Sequence, residues 1–178
     1  MPVAKSYVTP ELLRAIATEY QLDPAGFHGF AHWSRVCEFG RRLADASNVD
    51  RRLVELFALV HDCRRLDDGH DVLHGARAAD ALRGWQGTLI QLDTTDLDRL
   101  LYACEHHTAG KLSDDPLIGV CWDADRLDLS RLKYEIDVDL LSTAAAKDPR
   151  VLYWARQLSE ELVTPALLRQ EWSLLLER

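Results

Sequence analysis

The sequence lacks the features that mark exported or membrane-spanning proteins. No signal-peptide-like apolar stretch stands near the N-terminus, and nowhere do about 18 apolar residues follow one another without a charge. We therefore expect a cytoplasmic protein with no membrane partner. The four cysteines lie far apart and form no CxxC pair, which predicts buried, reduced thiols and argues against a structural zinc site.

Long basic runs and flexible linkers are also missing. The chain carries 29 acidic and 21 basic residues, for a net charge of −8. Because this charge repels a phosphate backbone, duplex DNA or RNA is not an expected partner. No stretch rich in proline, glycine and serine divides the 178 residues, of which 47% are hydrophobic, so a single domain over residues 1–178 is predicted.

Strand-like alternation is nearly absent, whereas helix signals recur. Four capping residues each precede a proline: Thr9-Pro10, Asp115-Pro116, Asp148-Pro149 and Thr164-Pro165. Apolar residues repeat at three- and four-residue spacing over 31–47, 51–61, 72–85 and 95–107, and two packing helices are predicted over 149–162 and 165–178. The predicted fold class is all-α.

Histidine and aspartate stand side by side at two places. His61-Asp62 ends the most apolar predicted helix, where an ionisable pair is costly to bury unless hydrogen bonds or a cation neutralise it. The other pair, at residues 70–71, follows a glycine in a polar loop and is expected to be solvated. Position therefore singles out the first pair.

Helix lengths predict which histidines meet. His32 lies near the start of one helix and His61 ends the next, so an antiparallel hairpin brings His32 toward His61-Asp62. A second hairpin brings His74, which opens a helix, toward His107, which closes the following one. His106 is an alternative to His107, because the two are adjacent.

A last carboxylate comes from the apolar segment VCWDADRLDL. Asp123 and Asp125 are two positions apart on a helix, so they point in different directions and at most one faces inward easily. The residues alone leave the choice open.

The pattern His32…His61-Asp62…Asp125 resembles the H…HD…D pattern of the HD superfamily of phosphohydrolases. The resemblance covers residues 26–132 and includes the segments HGFAHWSRV, ALVHDCRR and DADRLD. It implies a single-domain HD-type helical bundle that holds a metal ion on these four residues. In family segments the Asp before Arg-Leu is the ligand, which selects Asp125.

A subset of the superfamily adds His-Gly and His-Thr-x-Gly and holds two metals. Here these are His74-Gly75 and His107-Thr108-Ala109-Gly110, similar to diadenosine tetraphosphate hydrolases and cyclic-dinucleotide phosphodiesterases, although no GYP-type extension is present. The resemblance implies that the protein holds two metal ions, or at least one. Asp62 would bridge the two ions. Imidazole and carboxylate ligands suit Fe, Mn, Ni, Co or Zn.

The implied activity is hydrolysis of a phosphoester or phosphoanhydride in a small phosphorylated, nucleotide-like metabolite. Metal-activated water would attack phosphorus, and Asp62 would hold that water in position. Alternatives are a catalytically silent metal- or nucleotide-binding regulatory module and a di-iron oxygenase.

Further polar residues lie near the predicted ligands in sequence. Arg64, Arg65 and Lys111 are candidate phosphate-binding residues. Arg35 is a further candidate, with an ion-pair role as the alternative. His28, His106 and Lys111 are candidate proton donors to the leaving group.

Overall fold

The structure, a computed structural model, describes residues 5–177, which form eight α-helices and three short 3₁₀ helices. The α-helices are α1 (Pro10–Glu19), α2 (Phe30–Ser47), α3 (Arg51–Val60), α4 (His74–Trp85), α5 (Thr94–His106), α6 (Pro116–Arg126), α7 (Pro149–Glu160) and α8 (Ala166–Gln170). The 3₁₀ helices are Leu129–Leu132, Val138–Leu140 and Ser173–Leu176. Over residues 5–177 no strand forms, which confirms the all-α prediction.

Three of the four predicted capping residues begin helices. Thr9, Asp115 and Asp148 each accept a hydrogen bond from a backbone N–H in the first turn of α1, α6 and α7. The fourth prediction was wrong, because Pro165 itself is the N-cap residue of α8 and no side chain caps that helix.

The C-terminal helix is shorter than predicted. In place of one helix over 165–178, α8 ends at Gln170 and a separate 3₁₀ helix, Ser173–Leu176, packs against α1. The change of direction lets Trp172 and Leu175 both turn into the core. The last predicted position, 178, lies outside the described residues.

Two antiparallel helix pairs place the polar residues. The pair α2–α3 turns at Asn48, whose φ of +54° ends α2 in the left-handed conformation. α4 pairs with α5 in the same way, and α6 packs against α2, α3 and α5. α3 lies at the centre, with seven of its ten residues buried. Within the described residues no helix is long and apolar enough to cross a membrane.

Candidate metal centre

One group of ligands forms where α2 and α3 meet. His32 lies in the first turn of α2, and His61 and Asp62 directly follow α3. The two imidazole Nε2 atoms are 3.2 Å apart. Asp62 Oδ2 lies 3.6 Å from His32 Nε2 and 3.8 Å from His61 Nε2. All three side chains are buried and together could hold a metal ion.

A second group shares Asp62. His74 is the first residue of α4 and His107 directly follows α5, so the second helix pair brings their Nε2 atoms within 2.8 Å. Asp62 Oδ1 lies 3.2 Å from His74 Nε2 and 3.5 Å from His107 Nε2. Each oxygen of one carboxylate therefore faces a different pair of imidazoles.

The two aspartates of α6 have different surroundings. Asp125 Oδ1 lies 3.4 Å from His32 Nε2 and 3.6 Å from His61 Nε2, so it faces the first group. Asp123 instead accepts hydrogen bonds from the backbone N–H groups of Ser142 and Thr143, each at 2.7 Å, and from the Thr143 hydroxyl. The structure thus brings Asp125 into the cluster and assigns Asp123 to holding a loop.

Of the two adjacent histidines, the structure brings His107 into the cluster. The His106 ring instead lies on Tyr102, with 4.4 Å between ring centroids, and is half-buried. This difference follows from the helix, since consecutive residues point about 100° apart.

Hydrogen bonds on the far side of each ring orient the four imidazoles. Each Nδ1 faces an oxygen acceptor: Ala58 O for His61 (3.1 Å), Cys104 O for His107 (2.7 Å), Asp71 O for His74, and the Asp128 carboxylate for His32 (2.7 Å). A carbonyl oxygen only accepts, so each Nδ1 that faces one must carry the proton. The Nε2 atoms then point at Asp62 with unprotonated lone pairs, the form in which an imidazole binds a cation.

The distances within each pair suit metal ligation. Two nitrogens about 2.1 Å from one ion and at right angles to each other would be about 3 Å apart. Two Nε2 atoms as close as those of His74 and His107 share at most one proton, so at least one bare lone pair faces the other nitrogen and the carboxylate. A divalent cation would satisfy all of these groups at once, and the residues therefore fit such an ion.

Both site carboxyls are held in the ionised form. Burial acts to raise the pKa of Asp62, but the electrostatic interaction with His61 and the close contacts with His107 and His74 outweigh it and leave the pKa well below the ordinary value. Burial likewise opposes ionisation of Asp125, whose pKa the contacts with His32 and His61 lower.

Sequence reasoning missed Asp128, the residue behind His32. Its carboxylate accepts from His32 Nδ1, from Arg35 Nε and Nη2 at 2.7 and 3.0 Å, and from the Ser159 hydroxyl at 2.6 Å. It is fully buried. A signal was available, because Asp128 follows Asp125 by three residues and stands between two leucines.

Two glycines of the recognised segments stand where helices touch. A Cβ at Gly75 would lie 2.5 Å from Cys104 O, at the contact of α4 with α5. A Cβ at Gly110 would lie 2.3 Å from the Trp122 ring. Both positions exclude a side chain and so let the His74 and His107 segments approach the cluster.

The cluster lies in the wall of a cavity of about 630 Å³. Asp62, His74, His107 and Asp125 are exposed to this cavity, together with Arg65 and Lys111. His28 also lines it and donates from Nδ1 to Asp68 at 3.0 Å. Burial lowers the pKa of His28 to about 4, so this imidazole is neutral at pH 7.

Two predicted phosphate-binding residues point elsewhere. Arg35 is buried behind His32, where Asp128 and the Val163 carbonyl take its donors. Arg64 pairs with Glu19 and lies over the Trp85 ring, 5.4 Å from its centroid. Neither residue lines the cavity, so the structure does not bring Arg35 or Arg64 to the place where the sequence analysis expected phosphate to bind.

Part of the cavity lining is apolar. This apolar wall consists of Leu129, Leu132, Tyr134 and Leu140. It comes from the segment 129–140, which is joined to α6 by the hydrogen bond from Arg126 Nη1 to Leu140 O at 2.8 Å. The bonds of Asp123 to residues 142 and 143 fix the chain just beyond it.

Comparison with known proteins bears on the fold. No protein-family model and no curated protein matches the chain. A solved structure, that of a "predicted HD superfamily hydrolase" from an uncultured Thermotogales bacterium, superposes with a TM-score of 0.61 at 23% identity, over 92% of this chain and 90% of that one. The chain therefore has the helical fold of that structure, as the fold prediction expected.

Proposed function

We propose that the protein is a metal-dependent phosphohydrolase of the HD superfamily that acts on a small phosphorylated, nucleotide-like metabolite. The observation that carries this proposal is the convergence of four imidazole Nε2 atoms on the two oxygens of Asp62, at the wall of a cavity. The likeness in fold to a protein named as a predicted HD superfamily hydrolase supports it.

The ligands divide into two sets. His32, His61, Asp62 and Asp125 would hold one divalent ion, and Asp62, His74 and His107 would hold a second. Imidazole and carboxylate donors suit Fe, Mn, Ni, Co or Zn. Such ions, when bound, lower the pKa of water and offset negative charge on phosphoryl oxygens.

The protein's own groups would position the phosphate. Arg65 and Lys111 line the cavity, as do Arg126 and Arg131, and Lys111 has no ion pair with a described residue. Their charges favour a phosphoryl group at the cluster even though the chain is acidic overall.

The two candidate proton donors that line the cavity, His28 and Lys111, would have different roles. In the reaction the oxygen of water bonds to phosphorus and a proton of that water passes to solvent, the P–O bond to the leaving group breaks, and the leaving oxygen takes up a proton. His28 has no second proton to give at pH 7, because its pKa is about 4. Lys111 lines the same cavity and is therefore the proposed donor, while neutral His28 serves as a hydrogen-bonding group beside the cluster.

The apolar wall supports a substrate with an apolar or aromatic part. Leu129, Leu132 and Leu140 offer aliphatic surface, and Tyr134 offers an exposed ring that can stack on a planar group. A nucleoside-like group would lie against this uncharged wall, and its phosphate would lie near Arg65, Lys111 and the proposed metal ions.

The test compares His61→Ala with His106→Ala. His106 is the matched control, because it is a histidine in the same region that lies outside the cluster. We expect purified wild type and His106→Ala to retain transition metal and to hydrolyse members of a panel of nucleotides, and His61→Ala to lose both properties. Hydrolysis by metal-free His61→Ala at the wild-type rate would refute the proposal. Metal retention without turnover of any phosphorylated compound would indicate a binding module instead.

A further inference from the structure

The guanidinium of Arg65 lies against the second group of ligands. Nη1 is 3.1 Å from His74 Nε2 and 3.4 Å from Asp62 Oδ1. Nη2 donates to Gly69 O at 3.1 Å and Nε to Asp67 O at 3.3 Å, and the side chain is buried. Arg65 is thus a cation that already contacts two of the three groups available to a second ion.

The position of the proton on His74 makes this contact compete with metal binding. Nδ1 of His74 donates to Asp71 O, so Nε2 is unprotonated in the neutral ring and has a single lone pair. A guanidinium only donates, and it therefore uses that lone pair. The same lone pair cannot bind a metal ion at the same time.

We infer that Arg65 controls occupancy of the second metal site, because its guanidinium and a second cation are alternative partners of His74 Nε2 and Asp62 Oδ1. The inference rests on the proposed function, since it takes both groups of ligands as metal sites. The second ion binds only after Arg65 turns away, whereupon its two backbone acceptors in the exposed 66–70 segment are met by water.

Over residues 5–177, no guanidinium makes a hydrogen bond to His32 Nε2 or His61 Nε2. Arg35 lies on the Nδ1 side of the His32 ring, where it is bound to Asp128. His32, His61 and Asp62 Oδ2 therefore bind an ion without displacing a guanidinium. The two sites differ in affinity as a result, and the first fills before the second.

The test titrates the metal-free full-length protein with Mn²⁺ alone and follows binding by calorimetry and by metal content after gel filtration. Wild type should bind one ion tightly and a second more weakly or not at all. Arg65→Met should tighten the second step by roughly tenfold or more, the equivalent of a charge-assisted hydrogen bond, and leave the first step unchanged. Arg64→Met is the matched control, because Arg64 lies outside the cavity, and it should behave as wild type.

Arg65→Lys provides a second variant if the methionine variant folds poorly, since it keeps the charge and most of the aliphatic stem. We expect its second step to lie between those of wild type and Arg65→Met. An unchanged or weaker second step in both variants, or two equal steps in wild type, would overturn the inference. One ion in wild type and in both variants would overturn it while leaving the first site of the proposed function intact. Absence of any bound ion would refute the proposed function itself.

Discussion

Asp128 holds His32 by the nitrogen that faces away from the metal ligands: its Oδ2 lies 2.7 Å from His32 Nδ1. The carboxylate is itself fixed by Arg35 and Ser159. Its pKa is subject to burial, which acts to raise it, but the contacts with His32 and Arg35 lower it, so the group is ionised. An ionised carboxylate behind an imidazole orients the ring and raises its basicity as a ligand.

Asp128→Asn should therefore weaken divalent-metal binding about 10- to 100-fold. It should also lower the free energy of unfolding of the metal-free protein, because Arg35 and Arg131 would stay buried without a full counter-charge. Calorimetric metal titration and thermal unfolding measure the two effects.

Ser159→Ala is the control for this prediction. It removes one hydrogen bond from the same carboxylate and should cost about 1 kcal/mol of stability with metal affinity nearly unchanged. Equal losses of metal affinity in the two variants would contradict the positioning role.

Gly75 tests the close approach of α4 to α5. Gly75→Ala should destabilise the fold by about 1–3 kcal/mol, because the added methyl meets backbone oxygens of α5. It should also weaken the second metal site by separating His74 from His107. Gly84→Ala on the same helix meets no atom within 4 Å and should stabilise by about 0.5–1 kcal/mol through helix propensity. Chemical denaturation and metal titration of both variants check this, and a neutral Gly75→Ala would disprove the steric argument.

His28 makes the metal-free fold sensitive to mild acid. Its pKa is about 4 when folded against an ordinary value of 6.5, so between these pH values the unfolded chain binds a proton that the folded chain does not. The stabilisation is complete above pH 6.5 and is lost as the pH falls toward 4. Wild type should then lose more stability than His28→Gln across this window. Denaturation curves of both proteins in chelator at pH 7.5, 6 and 4.5 measure the difference, and parallel losses would rule out this cause.

Lys111→Met should lower kcat/KM for phosphorylated substrates by roughly tenfold or more, because one charge-assisted contact to phosphate is removed. Metal content should stay at the wild-type level. Lys133→Met removes an exposed lysine that does not line the cavity and is the control. The measurement is kcat/KM for the panel nucleotide that the wild type hydrolyses fastest. Equal decreases of kcat/KM in the two variants would argue against a specific role for Lys111.

The helices and the ligand cluster were predictable because both depend on local rules. Capping aspartates and threonine marked three helix starts, and helix lengths alone placed His32 near His61. The choice of Asp125 over Asp123 came from resemblance, and the structure gives its physical basis in the loop that Asp123 holds.

Other features depend on contacts that neighbouring positions in sequence do not reveal. Arg64 and Arg65 are adjacent, yet one meets Glu19 on the outside and the other meets Asp62. Asp128 reaches His32 across 96 positions of the chain. The apolar wall comes from a segment of short 3₁₀ turns without helical periodicity, so no pattern marked it.

The apolar wall and the metal ligands belong to different parts of the chain. The proposed ligands are placed by the ends of packed helices, whereas the wall follows α6 and is joined to that helix by a few hydrogen bonds between α6 side chains and backbone groups of residues 140–143. Substitutions at Leu132, Tyr134 and Leu140 can thus accumulate without moving a ligand. A change in these residues can therefore alter the compound that fits the cavity while the proposed metal ligands stay in place, so shared His/Asp ligands do not identify a shared substrate.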